Sequence, residues 1–161
     1  MFVLGLDPGL SRCGYCVLDV AARRPRAVAL GVFRTAPDLP VPERLAELLA
    51  DFRGLLEEFP PASVAVERVL FQTNVRTAMG VGQASGVLMA ESAQRGIPVR
   101  EYSPNEVKAA VAGDGAADKE QVQEMVRRLL DLDVAPRPAD AADAAAIALT
   151  HVAVLPLGRS A

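Results

Sequence analysis

Phe2-Val3-Leu4-Gly5-Leu6-Asp7-Pro8-Gly9 opens the chain as an apolar strand that ends on a carboxylate and a turn. Proline presets φ at such a turn and glycine accepts conformations that side chains resist. Residues 12–20 and 27–35 form two more strand-like runs, joined by the polar turn Ala21-Ala22-Arg23-Arg24-Pro25, so the chain starts with three strands in hairpin order. Outward from there, Pro42 opens a helix to about Phe59. Leu45, Leu48, Leu49, Phe52, Leu55 and Leu56 form its apolar stripe, with Glu43, Glu47, Asp51 and Glu57 mostly opposite. Residues 63–69 read as a short buried strand. A loop at 70–74 leads into a long helix to about Gln94, ended by Arg95-Gly96 and Pro98, and residues 99–102 are the next strand.

Ser103-Pro104-Asn105-Glu106 combines an N-cap serine, a proline at the first helical position and the glutamate of a capping box, so a helix starts there; Gly113 and Gly115 end it. Further helices are expected over 118–130 and, after Pro136 and Pro138, over 140–155. The order βββαβαβααα predicts an α/β fold with a mixed sheet flanked by helices. With 161 residues and 51% hydrophobic content the chain suits one domain over residues 1–155, followed by a short tail at 156–161. The N-terminus lacks a basic stretch followed by a long apolar one, and no segment approaches about 18 uncharged apolar residues. A soluble, cytoplasmic protein without a membrane partner is the expectation. A net charge of −3 leans mildly away from nucleic-acid binding, which then requires local clustering of the 17 basic residues.

Four carboxylates stand in elements that should be apolar. Asp7 ends the first strand, Glu67 follows Val64-Ala65-Val66, and Asp140 and Asp143 lie on an alanine-rich helix. Unpaired buried carboxylates cost several kcal/mol or become neutral, so acids kept in such places need cationic partners. Asp140 and Asp143 are three apart and share a helix face. Two ordinary readings compete there: Asp140 as an N-cap and Asp143 as an acid favoured by the helix dipole. Glu67 could answer an arginine, and Asp7 could serve only its turn. Together, four oxygen donors without a cysteine or histidine cluster suit Mg²⁺ or Mn²⁺. Two such ions about 4 Å apart can activate a water and stabilise a leaving oxygen in phosphodiester hydrolysis.

Cys13 and Cys16 form a CxxC, yet residues three apart in a strand point to opposite faces and neither bridge nor share a metal comfortably. Two reduced, packed thiols are expected. His151 lies eight residues past Asp143, about 12 Å further along the helix, and reads as a structural or second-site residue.

These residues resemble the RuvC-type Holliday-junction resolvases, members of the ribonuclease H-like nuclease superfamily. The resemblance spans nearly the whole chain. It is carried by Gly5-Leu6-Asp7-Pro8-Gly9 with Gly14-Tyr15, Val66-Glu67-Arg68-Val69, Asn74, Gly82-Gln83-Ala84 with Gly86, Val107-Lys108, Lys119, Met125-Val126 and Asp140-Ala141-Ala142-Asp143-Ala144. It implies a ribonuclease H-like five-stranded mixed sheet with helices on both faces. It further implies that Asp7, Glu67, Asp140 and Asp143 ligate two Mg²⁺ ions, with Mn²⁺ as a substitute, in a homodimer that nicks opposing strands of four-way DNA junctions. Lys108 and Lys119 are then expected near the phosphates, with solvation on helix surfaces as the plainer alternative. Phe71, rather than Leu70, is the better platform for stacking at the junction, and Asn74 and Arg76 join the candidate DNA contacts, with plain solvation as the equal alternative for Arg76. A branch-migration helicase complex is the expected further partner.

The small residues Ala78, Gly82, Gly86, Ala90 and Ala93 on the long helix suit either packing on the sheet or the dimer interface that the resemblance places there. Actin-like ATPases and sugar kinases share the early aspartate and glycine but are much longer. An RNA-processing nuclease of the same superfamily fits Lys119 and the paired aspartates less well. A non-catalytic junction-binding module fits poorly with four intact acids.

Overall fold

The computed structural model describes residues 1–69 and 75–155; Leu70, Phe71 and Asn74, the side chain of Arg76 and the tail at 156–161 lie outside the described residues. Ten elements follow one another: β1 (Phe2–Asp7), β2 (Arg12–Asp19), β3 (Arg26–Arg34), α1 (Val41–Glu58), β4 (Pro61–Glu67), α2 (Val75–Gln94), β5 (Val99–Tyr102), α3 (Pro104–Ala112), α4 (Lys119–Leu129) and α5 (Ala139–Val154). The five strands form one mixed sheet in the order β3-β2-β1-β4-β5. Strands β1, β2 and β3 pair antiparallel, while β1–β4 and β4–β5 pair parallel.

Side-chain alternation sorts the sheet into two faces. Leu4, Leu6, Val64 and Val66 pack against Leu48, Phe52, Leu55 and Leu56 of α1 and Ala84 and Leu88 of α2. Val3 and Ala65 face the other way, among Val107, Val111, Val122, Val126 and Ile147 of α3, α4 and α5. Cys13 joins the first core and Cys16 the second, both free. Burial pushes each thiol up to about 12, which keeps it protonated and inert.

Local chemistry sets the helix ends. Ser103 accepts from the Glu106 N–H while Glu106 reaches back to the Ser103 N–H, completing the expected capping box, and Gly113 closes α3 at φ 75°. Asp118 and Gln121 form a second capping box at the start of α4. Strand β4 begins two residues before the expected position, at Pro61, and ends at Glu67 rather than Val69. A register irregularity between Phe2 and Val3 accommodates Pro61, which has no N–H to donate to the ladder.

The small-residue face of α2 does not pack on the sheet. A Cβ at Gly82 or Gly86 would meet nothing within 4 Å, whereas Ala84 and Leu88 are the buried positions. Helix α2 is tied to α1 by Glu91, which accepts from Arg53 Nε and Nη2 at 2.9 and 2.8 Å and from Arg95 Nε at 2.8 Å.

Candidate active site

Parity places the first two acids. Val3, Gly5 and Asp7 of β1 point to the α5 face, as do Ser63, Ala65 and Glu67 of β4. The parallel register that matches Leu6 with Val66 sets Asp7 and Glu67 side by side at the carboxyl ends of neighbouring strands. Carboxyl ends of parallel strands are where open α/β sheets gather their ligands.

Helix α5 brings the other two, and two glycines decide how close it comes. A Cβ on Gly14 would lie 2.0 Å from the main-chain oxygen of Asp140, and one on Gly5 would lie 2.3 Å from that of Ala144. No side chain fits at either strand position. The run Ala141, Ala142, Ala144, Ala145, Ala146 and Ala148 is buried, so small side chains complete the close approach from the helix. Pro138 occupies the N-cap of α5 and makes no side-chain cap. Asp140 is therefore the second helical residue and not the N-cap, because the proline already takes that place. Its carboxylate is left for tertiary contacts.

Those contacts are cationic. Arg12 Nε lies 3.3 Å from Asp140 Oδ2, and Lys119 Nζ donates to Asp143 Oδ2 at 2.9 Å. Asp7 has its pKa pushed up to about 8 by burial first, then by the charges of Glu67, Asp143 and Asp140. Burial and Asp143 raise Glu67 as well, against Lys119 and Lys108. The hydrogen bond to Asp143 holds the Lys119 ammonium above the ordinary lysine range. Among the described residues no three acidic, histidine or cysteine side chains form a ready-made metal cluster. Arg12 and Lys119 each take one oxygen of an α5 aspartate.

Two clefts flank the acids. One, of about 260 Å³, is lined by Glu67, Asp143, Lys108 and Lys119, so both sequence-expected lysines meet at the carboxylates. The other, of about 440 Å³, runs from Asp140 past Arg12 and Ser11 to Arg44 and the first half of α2. Sequence reasoning missed Arg12 and Arg44. The only signal was the position of Arg12, two residues before Gly14 and beside the Asp7-Pro8-Gly9 turn.

His151 stands apart from the acids. Its Nδ1 bonds Tyr102 Oη at 2.8 Å and its Nε2 bonds Ser63 Oγ at 2.8 Å, and burial lowers its pKa below the ordinary imidazole value. This ties α5 to β4 and β5 through a satisfied, buried residue.

A mixed sheet in this order, with acids at the ends of two adjacent strands and on the helix laid across them, defines a ribonuclease H-like nuclease. A family model described as Crossover junction endodeoxyribonuclease RuvC matches residues 3–151. The chain belongs to the RuvC family of crossover junction endodeoxyribonucleases. A curated member from Nocardioides sp. is 53% identical over 153 residues, covering 94% of this chain and 86% of that one. The Thermus thermophilus RuvC structure superposes with a TM-score of 0.87 at 41% identity, covering 94% of this chain and 93% of that one. The same enzyme in complex with Holliday junction substrate gives 0.88, with the same identity and coverage.

Proposed function

We propose that the chain resolves four-way DNA junctions as a homodimer, by symmetric paired nicks, with Asp7, Glu67, Asp140 and Asp143 as the catalytic, metal-holding residues. The observation that carries the reading is the convergence of these four acids on one end of the sheet, with Asp7 pushed up to about 8 by burial and by the other three. An all-oxygen donor set in which burial and mutual repulsion raise Asp7 and Glu67 suits a hard divalent cation, and we assign two Mg²⁺ ions, replaceable by Mn²⁺. Bound there, the ions supply a water of lowered pKa and take up charge on the attacking and leaving oxygens.

The protein's own groups do the rest. Lys119 and Lys108 line the cleft next to Glu67 and Asp143, where they hold backbone phosphate and offset charge building on the reacting phosphoryl group. Lys119 pairs with Asp143 and Arg12 with Asp140, so each α5 carboxylate is oriented by a cation at the edge of the site. Phe71, Asn74 and Arg76, near the start of α2, are assigned to junction contacts, with Phe71 stacking on an unpaired base. The open face of α2, with Met79 61% and Val75 76% exposed, is assigned to the twofold interface. A branch-migration helicase is the proposed partner at the junction. Residues 1–155 act as one nuclease domain followed by the tail at 156–161. No described helix is long and apolar enough to cross a membrane, and we place the protein in the cytoplasm with its DNA.

The test compares a labelled four-way junction with a linear duplex of the same sequence, each in Mg²⁺ and in chelator. Preferential binding of the junction and paired nicks only in Mg²⁺ are expected. Equal binding of the two DNAs, or cutting in chelator, overturns the reading.

A further inference from the structure

The catalytic acids have cations on both sides. Along α5, Asp143 opens toward Lys119, Lys108 and the smaller cleft. Asp140, about one turn earlier, opens toward Arg12, Arg44 and the larger one. Asp7 lies between, on the strand that separates Gly14, beneath Asp140, from Glu67, beside the smaller cleft. Arg12 and Lys119 thus flank the acids from opposite clefts.

The larger cleft is built rather than incidental. Arg44 donates from Nε to Thr35 Oγ1 at 3.0 Å and from Nη2 to Ser11 Oγ at 2.6 Å. Thr35 Oγ1 in turn donates to the Leu10 carbonyl at 2.5 Å. These bonds tie the start of α1 to the loop between β1 and β2, which carries Gly9, Leu10 and Ser11 and leads into Arg12 on β2. A Cβ at Gly80 would lie 3.4 Å from the Leu10 Cβ, so α2 closes the opposite wall. Arg12 is 53% exposed and, among the described residues, is held by Asp140 alone, a surface pair of the kind worth little. It is free to exchange that carboxylate for a phosphate once the acids are otherwise neutralised.

We propose that this cleft is a phosphate-binding subsite for the strand being cut. Arg12 and Arg44, with the Ser11 and Thr77 hydroxyls, hold a phosphodiester adjoining the scissile one, on the side away from Lys108 and Lys119. The proposal rests on the nuclease reading of the four acids. It assigns Arg12 the direct contact and Arg44 the double task of contact and of positioning the loop. Two guanidiniums and two hydroxyls are the groups that contact DNA backbones most often. With both clefts filled, the strand is fixed on either side of the bond to be broken.

The test reads binding rather than turnover. In an Asp7→Asn background with Mg²⁺, junctions carrying a single neutral methylphosphonate are scanned along the cleaved strand, and affinity is followed against salt. One position beside the scissile phosphate should weaken binding by the parent protein. In Arg12→Gln that position should lose its effect, while the others keep theirs and the salt slope falls by about one. Arg44→Lys, which keeps the charge, should retain most of the slope, and Arg44→Gln should lose about one unit of it. If Arg12→Gln shows the parent profile at every methylphosphonate position, the subsite assignment is wrong. If the parent itself shows no preference for junction over duplex, the functional reading fails instead, and the two failures are distinct.

Discussion

Gly14 lies directly under the main chain of Asp140, so close that a Cβ there would come within 2.0 Å of the Asp140 carbonyl oxygen. This contact makes the distance between helix α5 and the sheet, and hence the placement of two of the four acids, depend on a missing side chain two strands from Glu67.

Gly14→Ala should therefore push α5 away from the sheet. Overpacking of this kind costs about 1–3 kcal/mol, and the obstructing atom is backbone, which cannot rotate aside. Cleavage should fall by about a hundredfold, the usual cost of a misplacement near 1 Å. Thermal unfolding and single-turnover cleavage measured on the same preparation check both effects.

Asp7 works against the metal-free fold at neutral pH. Its pKa rises from 3.8 to about 8 on folding, so its contribution to stability is fully present below the unfolded value and is lost as pH rises through about 8. In chelator, Asp7→Asn should raise the melting temperature at pH 8 and change it little at pH 4, with a gain on the order of a few kcal/mol at the higher pH. Melting curves across that window, with and without Mg²⁺, measure it; the metal should narrow the difference between the two proteins.

Glu91 behaves in the opposite sense. Arg53 and Arg95 hold its carboxyl down to about 2, so the stability it contributes is present above the ordinary glutamate value and is lost as pH falls toward 2. Glu91→Gln should lower the urea midpoint at pH 7, and its deficit should shrink between pH 4.5 and pH 2.5. Urea titrations at the three pH values provide the check.

Gly82→Leu should separate assembly from folding. A Cβ at this position meets nothing within 4 Å in the single chain, so the protomer should fold as before. If the open face of α2 pairs two protomers, a leucine there breaks the pair. Analytical ultracentrifugation should show a dimer become a monomer, while circular dichroism of the two proteins coincides.

Much of this architecture was legible because periodicity and capping agree. The continuous apolar runs of β1 and β4, the leucine stripe of α1 and the Ser103 capping box each reported a local rule that the tertiary structure kept. The acids were legible for the opposite reason: they broke the apolar rule of their elements. Three features were not. Whether Asp140 capped its helix depended on the competing claim of Pro138, which residue spacing alone does not decide. The open side of α2 was ambiguous because small residues look alike whether they pack tightly or face solvent. The pairing of Arg12 with Asp140, and the Arg44, Ser11 and Thr35 network, join residues far apart in the chain, and no local pattern encodes them.

The central claim is that the four acids make one catalytic centre for junction cleavage, and Asp7→Asn tests it most directly. On a labelled four-way junction in Mg²⁺, the parent protein should make paired nicks. The variant should make none while binding the junction with nearly parental affinity. Cleavage by Asp7→Asn at the parental rate contradicts the account.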